Sequence, residues 1–390
     1  LIGWPLFLKE ENMKLELIAT ATFGLEAVVR REVEQLGYSV LRAEDGKITY
    51  MSDERGIVRS NLWLRSADRV LLKMGEFNAI TFEELFQQTK GIPWEQWVSP
   101  EGKFTVNGTS VKSTLHHVPS CQSIVKKAIA QRLSENYGVE HLPETGGEHG
   151  IKVTLLKDRA TLTMDTTGPG LHKRGYRVSD VEAPIKETLA AALVQLSFWN
   201  KDRILVDPCC GSGTIVIEAA MLGLQIPPGL NRAFQGEEWE EIPKALWKEE
   251  RKKAFEGILQ QDLQIQAYDL NPKALEAALQ NAEEAGVDHV IQFGVQDVKK
   301  LATGEKQGIL ITNPPYGERI GDKKSIQAVY DGLRTFMESN PSWSLFLITS
   351  DRDLEQKLLG RPANRRRKLY NGRIETTYYQ YHGEKEVSVR

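Results

Sequence analysis

Apolar residues recur along the chain in two different textures. Residues 15–20 (Leu-Glu-Leu-Ile-Ala-Thr) read as a strand, and Leu25, Val28, Val29, Val33 and Leu36 then repeat at helical spacing over 24–36. Gly37 stands where a helix-ending glycine belongs. Strand 47–51 and helix 54–64 complete a small α+β unit. A second unit comes next, with a short helix over 81–89 that Gly91-Ile92-Pro93-Trp94 breaks and a strand over 103–108. An amphipathic helix over 120–136 rests on Ile124, Val125, Ala128, Ile129 and Leu133, and strands 151–156 and 160–165 form a hairpin around Lys157-Asp158-Arg159.

After about residue 166 the texture changes, and Gly168-Pro169-Gly170 marks a linker. Strands now alternate with long helical patterns: strand 203–207, helix 213–222, strand 264–269, helix 272–285, strands 290–293 and 309–312, helix 325–339, strand 343–349. Such alternation predicts an α/β fold built on a parallel, doubly wound sheet. The segments 366–370 and 374–381 flank Asn371-Gly372, a two-residue hairpin signal, so an antiparallel hairpin should finish the sheet.

Length and composition narrow the class. The 390 residues suggest two or three domains, because one core rarely grows past roughly 300 residues. Hydrophobic residues at 41% and charged residues at 26% exclude a largely disordered chain. No apolar run reaches the length of a membrane span. Cys121, Cys209 and Cys210 make neither a disulfide framework nor a zinc-ligand spacing, which fits a reducing, cytoplasmic setting with no metal. The apolar leader 1–8 lacks a preceding basic region and a cleavage site, so residues 1–12 read as extraneous and Met13 as the natural start. A net charge of −3 means that any nucleic-acid site must be a local patch.

Candidate chemistry begins at 204–214, Ile-Leu-Val-Asp-Pro-Cys-Cys-Gly-Ser-Gly-Thr. A buried strand ends at Asp207, a tight loop comes after it, and Ile215 to Ala220 continues a helix. Gly211 and Gly213 let a ligand approach the backbone without meeting a Cβ. Ile217 stands where the dinucleotide fingerprint needs a small residue, and the loop lacks a Gly-Lys-Ser/Thr, so neither a dinucleotide nor a P-loop site is met. S-adenosylmethionine (AdoMet) remains as the common ligand of this geometry. A second strand ends at Asp269, placed for ribose hydroxyls, and a third near Asp297, placed for an adenine amino group. Residues 225–260, with Trp239, Trp247 and a charged helix-like stretch, read as an insertion between the loop and Asp269. A helix cap or a solvated loop is the plain alternative for either acid.

Residues 309–317 read Ile-Leu-Ile-Thr-Asn-Pro-Pro-Tyr-Gly. An apolar strand delivers Asn313 to the edge of the sheet, and Pro314 and Pro315 stiffen the backbone beyond it. The exocyclic amine of a base is a poor nucleophile, because its lone pair is delocalised into the ring. The Asn313 side-chain oxygen and the Pro314 carbonyl can accept hydrogen bonds from that amine and favour its pyramidalisation. Tyr316 offers a ring on which the base can stack. No titrating group is needed before attack, so Cys209 and Cys210 are assigned backbone packing in the loop and no nucleophilic part.

The second half thus resembles the amino-methylating class I methyltransferases, with Asn313-Pro314-Pro315-Tyr316 like their catalytic signature. Leu171-His172-Lys173-Arg174-Gly175-Tyr176-Arg177, Ala183-Pro184-Ile185-Lys186-Glu187-Thr188-Leu189-Ala190 and Leu369-Tyr370-Asn371-Gly372 narrow the likeness. Together they resemble the bacterial THUMP-domain 23S rRNA guanine-N2 methyltransferases. The resemblance implies a ferredoxin-like segment over 13–70, a THUMP RNA-binding domain over 71–165 and a Rossmann-like methyltransferase domain over 166–390. It implies that Pro184, Lys186, Thr188, Asp207, Cys209, Gly211, Ser212, Gly213, Thr214, Asp269 and Asp297 border AdoMet. It also implies a guanine N2 of ribosomal RNA as substrate, and a single modification, since the chain holds one such domain.

Two basic runs point to the RNA. Residues 352–373 hold eight Lys/Arg against Asp353 and Glu355, a local net of +6, and include Arg365, Arg366 and Arg367. Lys173, Arg174 and Arg177 form the second, and Tyr176 and Tyr370 lie among them. A solvated charged face is the alternative. An adenine-N6 methyltransferase acting on DNA or RNA, or a non-enzymatic RNA-binding assembly factor, are the rival functions.

Overall fold

The structure, a computed structural model, describes residues 14–179, 184–315 and 323–384. Its first half runs β1 (Leu15–Ala21), α1 (Glu26–Gln35), β2 (Ser39–Glu44), β3 (Lys47–Ser52), α2 (Glu54–Trp63), β4 (Ala67–Asn78), α3 (Phe82–Lys90), β5 (Lys103–Val111), α4 (Val118–Tyr137), β6 (Glu148–Leu156) and β7 (Arg159–Asp165). The seven strands form one sheet in the order β2-β3-β1-β4-β7-β6-β5. Two of them, β2 and β4, are absent from the sequence reading. β2 is an edge strand with four of its six residues exposed, so it lacks an apolar face. In β4, Arg69, Lys73 and Glu76 interrupt the apolar run, and a register shift between Lys73 and Gly75 breaks the alternation. The expected boundary at 70–71 therefore falls inside a strand that pairs with β1 on one side and β7 on the other.

The second half runs α5 (Glu187–Leu196), β8 (Leu205–Asp207), α6 (Thr214–Gly223), α7 (Lys244–Glu256), β9 (Ile265–Asp269), α8 (Pro272–Glu284), β10 (Ile291–Val295), β11 (Ile309–Thr312), α9 (Lys323–Ser339), β12 (Ser344–Thr349), α10 (Leu354–Leu358), β13 (Arg365–Asn371) and β14 (Ile374–Tyr381). Its sheet has the order β10-β9-β8-β11-β12-β14-β13. The first five are parallel, and β14 is antiparallel to both β12 and β13, as the Asn-Gly turn requires. Alternate residues feed opposite faces. Leu205, Ile309, Ile311, Phe346 and Ile348 pack with α5, α6 and α8, while Val206, Leu310, Leu345 and Leu347 pack with α9 and α10.

The two halves interlock. α1 is apolar on two sides: Val29 and Val33 join the first core, and Leu25 and Val28 join the second. The insertion 225–260 reaches back, and its Phe234, Trp239, Ile242 and Trp247 complete the core of the first sheet. Trp239 stacks on His149 at 5.0 Å and donates its Nε1–H to the Glu148 carbonyl at 3.1 Å.

Candidate active site

The parallel strands carry their chemistry to one edge. β8 ends at Asp207, β9 at Asp269, β10 is followed by Asp297, and β11 runs into Asn313. β8 and β11 are neighbours from which the strand order proceeds in opposite directions, the switch point at which open α/β sheets hold ligands.

The loop after β8 is tied down on several sides. The Cys210 amide donates to the Tyr268 carbonyl at 2.9 Å, and the Gly211 amide to Asp269 Oδ2 at 3.0 Å. Gly213 caps α6 in the left-handed region at φ 79, and a Cβ there would stand 3.0 Å from the Ala278 side chain of α8. Ser212 and Thr214 are buried. Burial pushes the Asp207 carboxyl up to about 7. The nearby Asp269 charge adds to this, and the Cys209 amide, donating to Asp207 Oδ1 at 3.1 Å, opposes it. Burial also raises the Cys209 and Cys210 thiols, the reverse of what a nucleophilic thiolate needs.

Asp269 is half-buried; its Oδ1 accepts from the Asn271 amide at 2.9 Å. Asp297 caps a single turn at 298–300 through the Lys299 amide at 3.0 Å. Pro184 is half-buried, Lys186 is the N-cap residue of α5, and Thr188 is buried in that helix's first turn. Asn313 Oδ1 is buried and has no hydrogen-bond partner among the described residues. Pro314 is buried and Pro315 half-buried beside it. Tyr316 lies outside the described residues.

The basic runs need correction. The Arg174 side chain is 1% exposed; it pairs with Glu218 at 3.2 Å and donates to the Leu171 carbonyl at 2.7 Å and to the Arg65 carbonyl. Tyr176 is buried too and donates to Glu218 Oε1 at 3.0 Å. Arg177 reaches inward to Glu187 Oε1 at 2.8 Å, Ser212 Oγ at 3.2 Å, Thr214 Oγ1 at 3.0 Å and the Ile185 carbonyl at 3.1 Å. Arg174 and Arg177 are therefore braces, not cations offered to RNA, because the acids they neutralise are buried in α5 and α6. Lys173 remains exposed. Arg365, Arg366 and Arg367 alternate across β13 and do not form one face. Arg365 is exposed, Arg366 pairs with Glu355 at 2.6 Å, and half-buried Arg367 donates to the Gly24 carbonyl at 3.1 Å.

Sequence reasoning missed Asn281. Wholly buried in α8, it accepts from the Val178 and Ser179 amides at 3.0 Å and donates to the Ser212 carbonyl at 3.2 Å, fastening the Arg177 segment to the glycine loop. The signal was present: an amide between Ala278 and Ala282 on the apolar face of a helix needs polar partners.

Counted from β8, the sheet order is 3-2-1-4-5-7-6. With a glycine loop after the first strand and Asn-Pro-Pro after the fourth, it is the architecture of a class I methyltransferase. Family models agree along the chain: an RlmL ferredoxin-like domain at 16–71, a THUMP domain at 79–165, and an RMKL-like methyltransferase domain at 174–380. The chain belongs to this RMKL-like methyltransferase family. A Bacillus subtilis (strain 168) protein, "Putative RNA methyltransferase YpsC", is 48% identical over 371 residues, covering 94% of this chain and 96% of that one. The crystal structure of "a predicted N6-adenine-specific DNA methylase from Listeria monocytogenes" is 46% identical with a TM-score of 0.91, covering 95% of this chain and 97% of that one. That of "SMU.472, a putative methyltransferase complexed with SAH" is 43% identical with a TM-score of 0.90, covering 96% and 99%. Among the described residues no cluster could hold a metal ion, and no helix is long and apolar enough to cross a membrane.

Proposed function

We propose that the protein is an AdoMet-dependent RNA methyltransferase that methylates the exocyclic N2 amine of a guanine in 23S rRNA. The observation that carries this reading is Asn313 Oδ1, a buried acceptor with no described partner, at the switch-point edge beside the glycine loop. A buried acceptor left unpaired costs about 1–3 kcal/mol, which a bound donor recovers. An exocyclic amine is such a donor. The glycine loop, with half-buried Asp269 and Asp297 beyond it, fits the backbone approach and hydroxyl-rich contacts of AdoMet, and Arg177 ties the segment of Pro184, Lys186 and Thr188 to that loop through Ile185, Glu187, Ser212 and Thr214.

AdoMet supplies an electrophilic methyl group on a sulfonium. Asn313 and the Pro314 carbonyl would accept hydrogen bonds from the amine and hold its nitrogen lone pair free for the methyl group that bound AdoMet would supply, the sulfonium sulfur being the leaving group. The methylated nitrogen then loses a proton to water, and no side chain has to take it beforehand. The THUMP and ferredoxin-like units, and the name of the Bacillus relative, support RNA as substrate. The Listeria relative's name supports adenine in DNA, and mass analysis of the methylated nucleoside separates the two.

Asn313 acts most strongly as positive charge builds on the amine, so its loss should fall on turnover more than on binding. Asn313→Ala should slow single-turnover methyl transfer to deproteinised ribosomal RNA by roughly 10²–10³-fold, as for other preorganised hydrogen-bonding groups. AdoMet and RNA affinities should stay within a few-fold. A near-normal rate sinks the mechanism and leaves Asn-Pro-Pro-Tyr as a structural turn.

A further inference from the structure

One exposed aromatic sits where a soluble fold gains nothing from it. Phe23, in the loop between β1 and α1, is 50% exposed, and its ring meets Tyr370 of β13 edge to face, centroids 6.2 Å apart. The two come from opposite ends of the chain. The loop is held against β13 by close backbone packing. Gly24 has φ 90, and a Cβ there would lie 2.6 Å from the Lys368 carbonyl oxygen. Arg367 donates to the Gly24 carbonyl, and Glu26 accepts from the Gly24 and Gly46 amides at 2.9 and 3.0 Å.

Strand register places this pair relative to the site. Thr312 stands opposite Leu347, and Thr349 opposite Thr377, which in turn faces Lys368. β13 thus runs in the same direction as β11 and β12, and Tyr370 emerges beyond Thr349 at the edge that carries Asn313. Three strand spacings, about 14 Å, separate the two across the sheet. Cations share this rim. Lys368 lies 5.6 Å from the Tyr370 ring centroid, Arg373 is exposed at the hairpin tip, and Arg352, after β12, is 89% exposed. Glu375 pairs with two of them, 2.6 Å from Lys368 and 3.7 Å from Arg352.

We propose that Phe23 and Tyr370 form a stacking platform for the single-stranded nucleotides that flank the target base, with Lys368, Arg373 and Arg352 taking their phosphates. An exposed ring backed by a half-buried one and edged by cations, at the rim of a site, is the chemistry that holds unpaired nucleic acid. The ferredoxin-like segment then contributes directly to the substrate surface. This rests on the reading of the protein as an RNA methyltransferase, and it puts the RNA contact at the far end of β13, beyond Arg365–Arg367.

The test is single-turnover methylation and RNA binding, on deproteinised ribosomal RNA, by the wild-type chain, Phe23→Ala, Phe23→Trp and Tyr370→Ala. Each alanine variant should weaken RNA binding about tenfold or more, with the rate at saturating RNA and the AdoMet affinity unchanged, and Phe23→Trp should restore binding. RNA binding within twofold of wild type for Phe23→Ala overturns the platform, whether or not its melting temperature falls, and leaves the pair as a joint between the halves. Failure of the wild-type chain to methylate any RNA overturns the underlying reading instead.

Discussion

Arg177→Ala separates two meanings of one arginine. The side chain joins Glu187, Ser212, Thr214 and the Ile185 carbonyl, so it spans the segment before α5 and the glycine loop after β8. Glu187 keeps only 6% of its side chain in water, and Arg177 keeps 15%. Removing one member of a buried pair costs about 3–5 kcal/mol, and partial exposure puts this one near 3 kcal/mol of unfolding stability. A smaller part reaches the ligand. Ser212 and Thr214 lose bonds of about 1 kcal/mol each, and binding must then re-impose the loop geometry. AdoMet affinity should fall by about 1–2 kcal/mol, roughly 5- to 30-fold. Arg177→Lys keeps a charge against Glu187, but one ammonium cannot serve partners spread around a guanidinium fork. It should recover most of the stability and little of the affinity. Urea unfolding and calorimetric AdoMet titration read these quantities, and RNA binding across a salt series supplies the control. A brace leaves the salt slope untouched, whereas a phosphate contact would lower it by about one. Unchanged AdoMet affinity together with a slope reduced by one would refute the brace.

Asp207 should make stability depend on pH. Its folded pKa, about 7, lies above the ordinary 3.8, so its stabilising protonated form is complete below about pH 4 and is lost as pH rises through 7. Asp207→Asn should gain on wild type between pH 5 and 8, by no more than about 4 kcal/mol, and chemical denaturation at the two pH values reads the gap. An unchanging gap would place the carboxyl in an ordinary environment. Trp239→Ala should cost about 3–5 kcal/mol, since it empties a buried site in the first core and leaves the Glu148 carbonyl to Gln235 alone. A loss under about 1 kcal/mol in urea unfolding would mean that the insertion merely rests on the first sheet.

Legibility in the sequence depended on how local each signal was. The central parallel strands β8, β11 and β12 and the Asn371-Gly372 hairpin were readable because burial on both faces and turn chemistry leave their mark within a few residues. β4 was not, since its apolar positions are shared between charges that pair across the sheet, as Lys73 does with Glu16 at 2.7 Å. The insertion 225–260 was readable as an insertion, yet nothing in its own residues says that Trp239 and Trp247 complete another unit's core. Arg174 and Arg177 misled for a related reason. A basic run looks the same whether it faces water or a buried acid. The missing half was in the apolar helices: Glu218 sits within Ile-Val-Ile-Glu-Ala-Ala, and Glu187 opens Thr-Leu-Ala-Ala. Acids on such faces need cations, and these two take theirs from Leu171–Arg177.

Those buried charges also determine how the halves act together. Arg65, at the end of α2, is buried and donates to the Ile226 carbonyl at 2.8 Å, while its own carbonyl accepts from Arg174. Glu32 of α1 accepts from the Arg65 and Ser66 amides and from Gln195 of α5. Cutting the chain at the Gly168-Pro169-Gly170 linker would therefore do more than remove an RNA-reading module. It would leave the Arg174–Glu218 pair without Arg65, expose Trp239 and Trp247, and strip Leu25 and Val28 from the second core. The same contacts position Phe23 relative to Asn313, because α1 begins just after Phe23 and is wedged between the two cores. The first half reaches the edge that carries Asn313 through packed structure and not through a tether, so on the proposed reading RNA capture and base positioning belong to one joined surface.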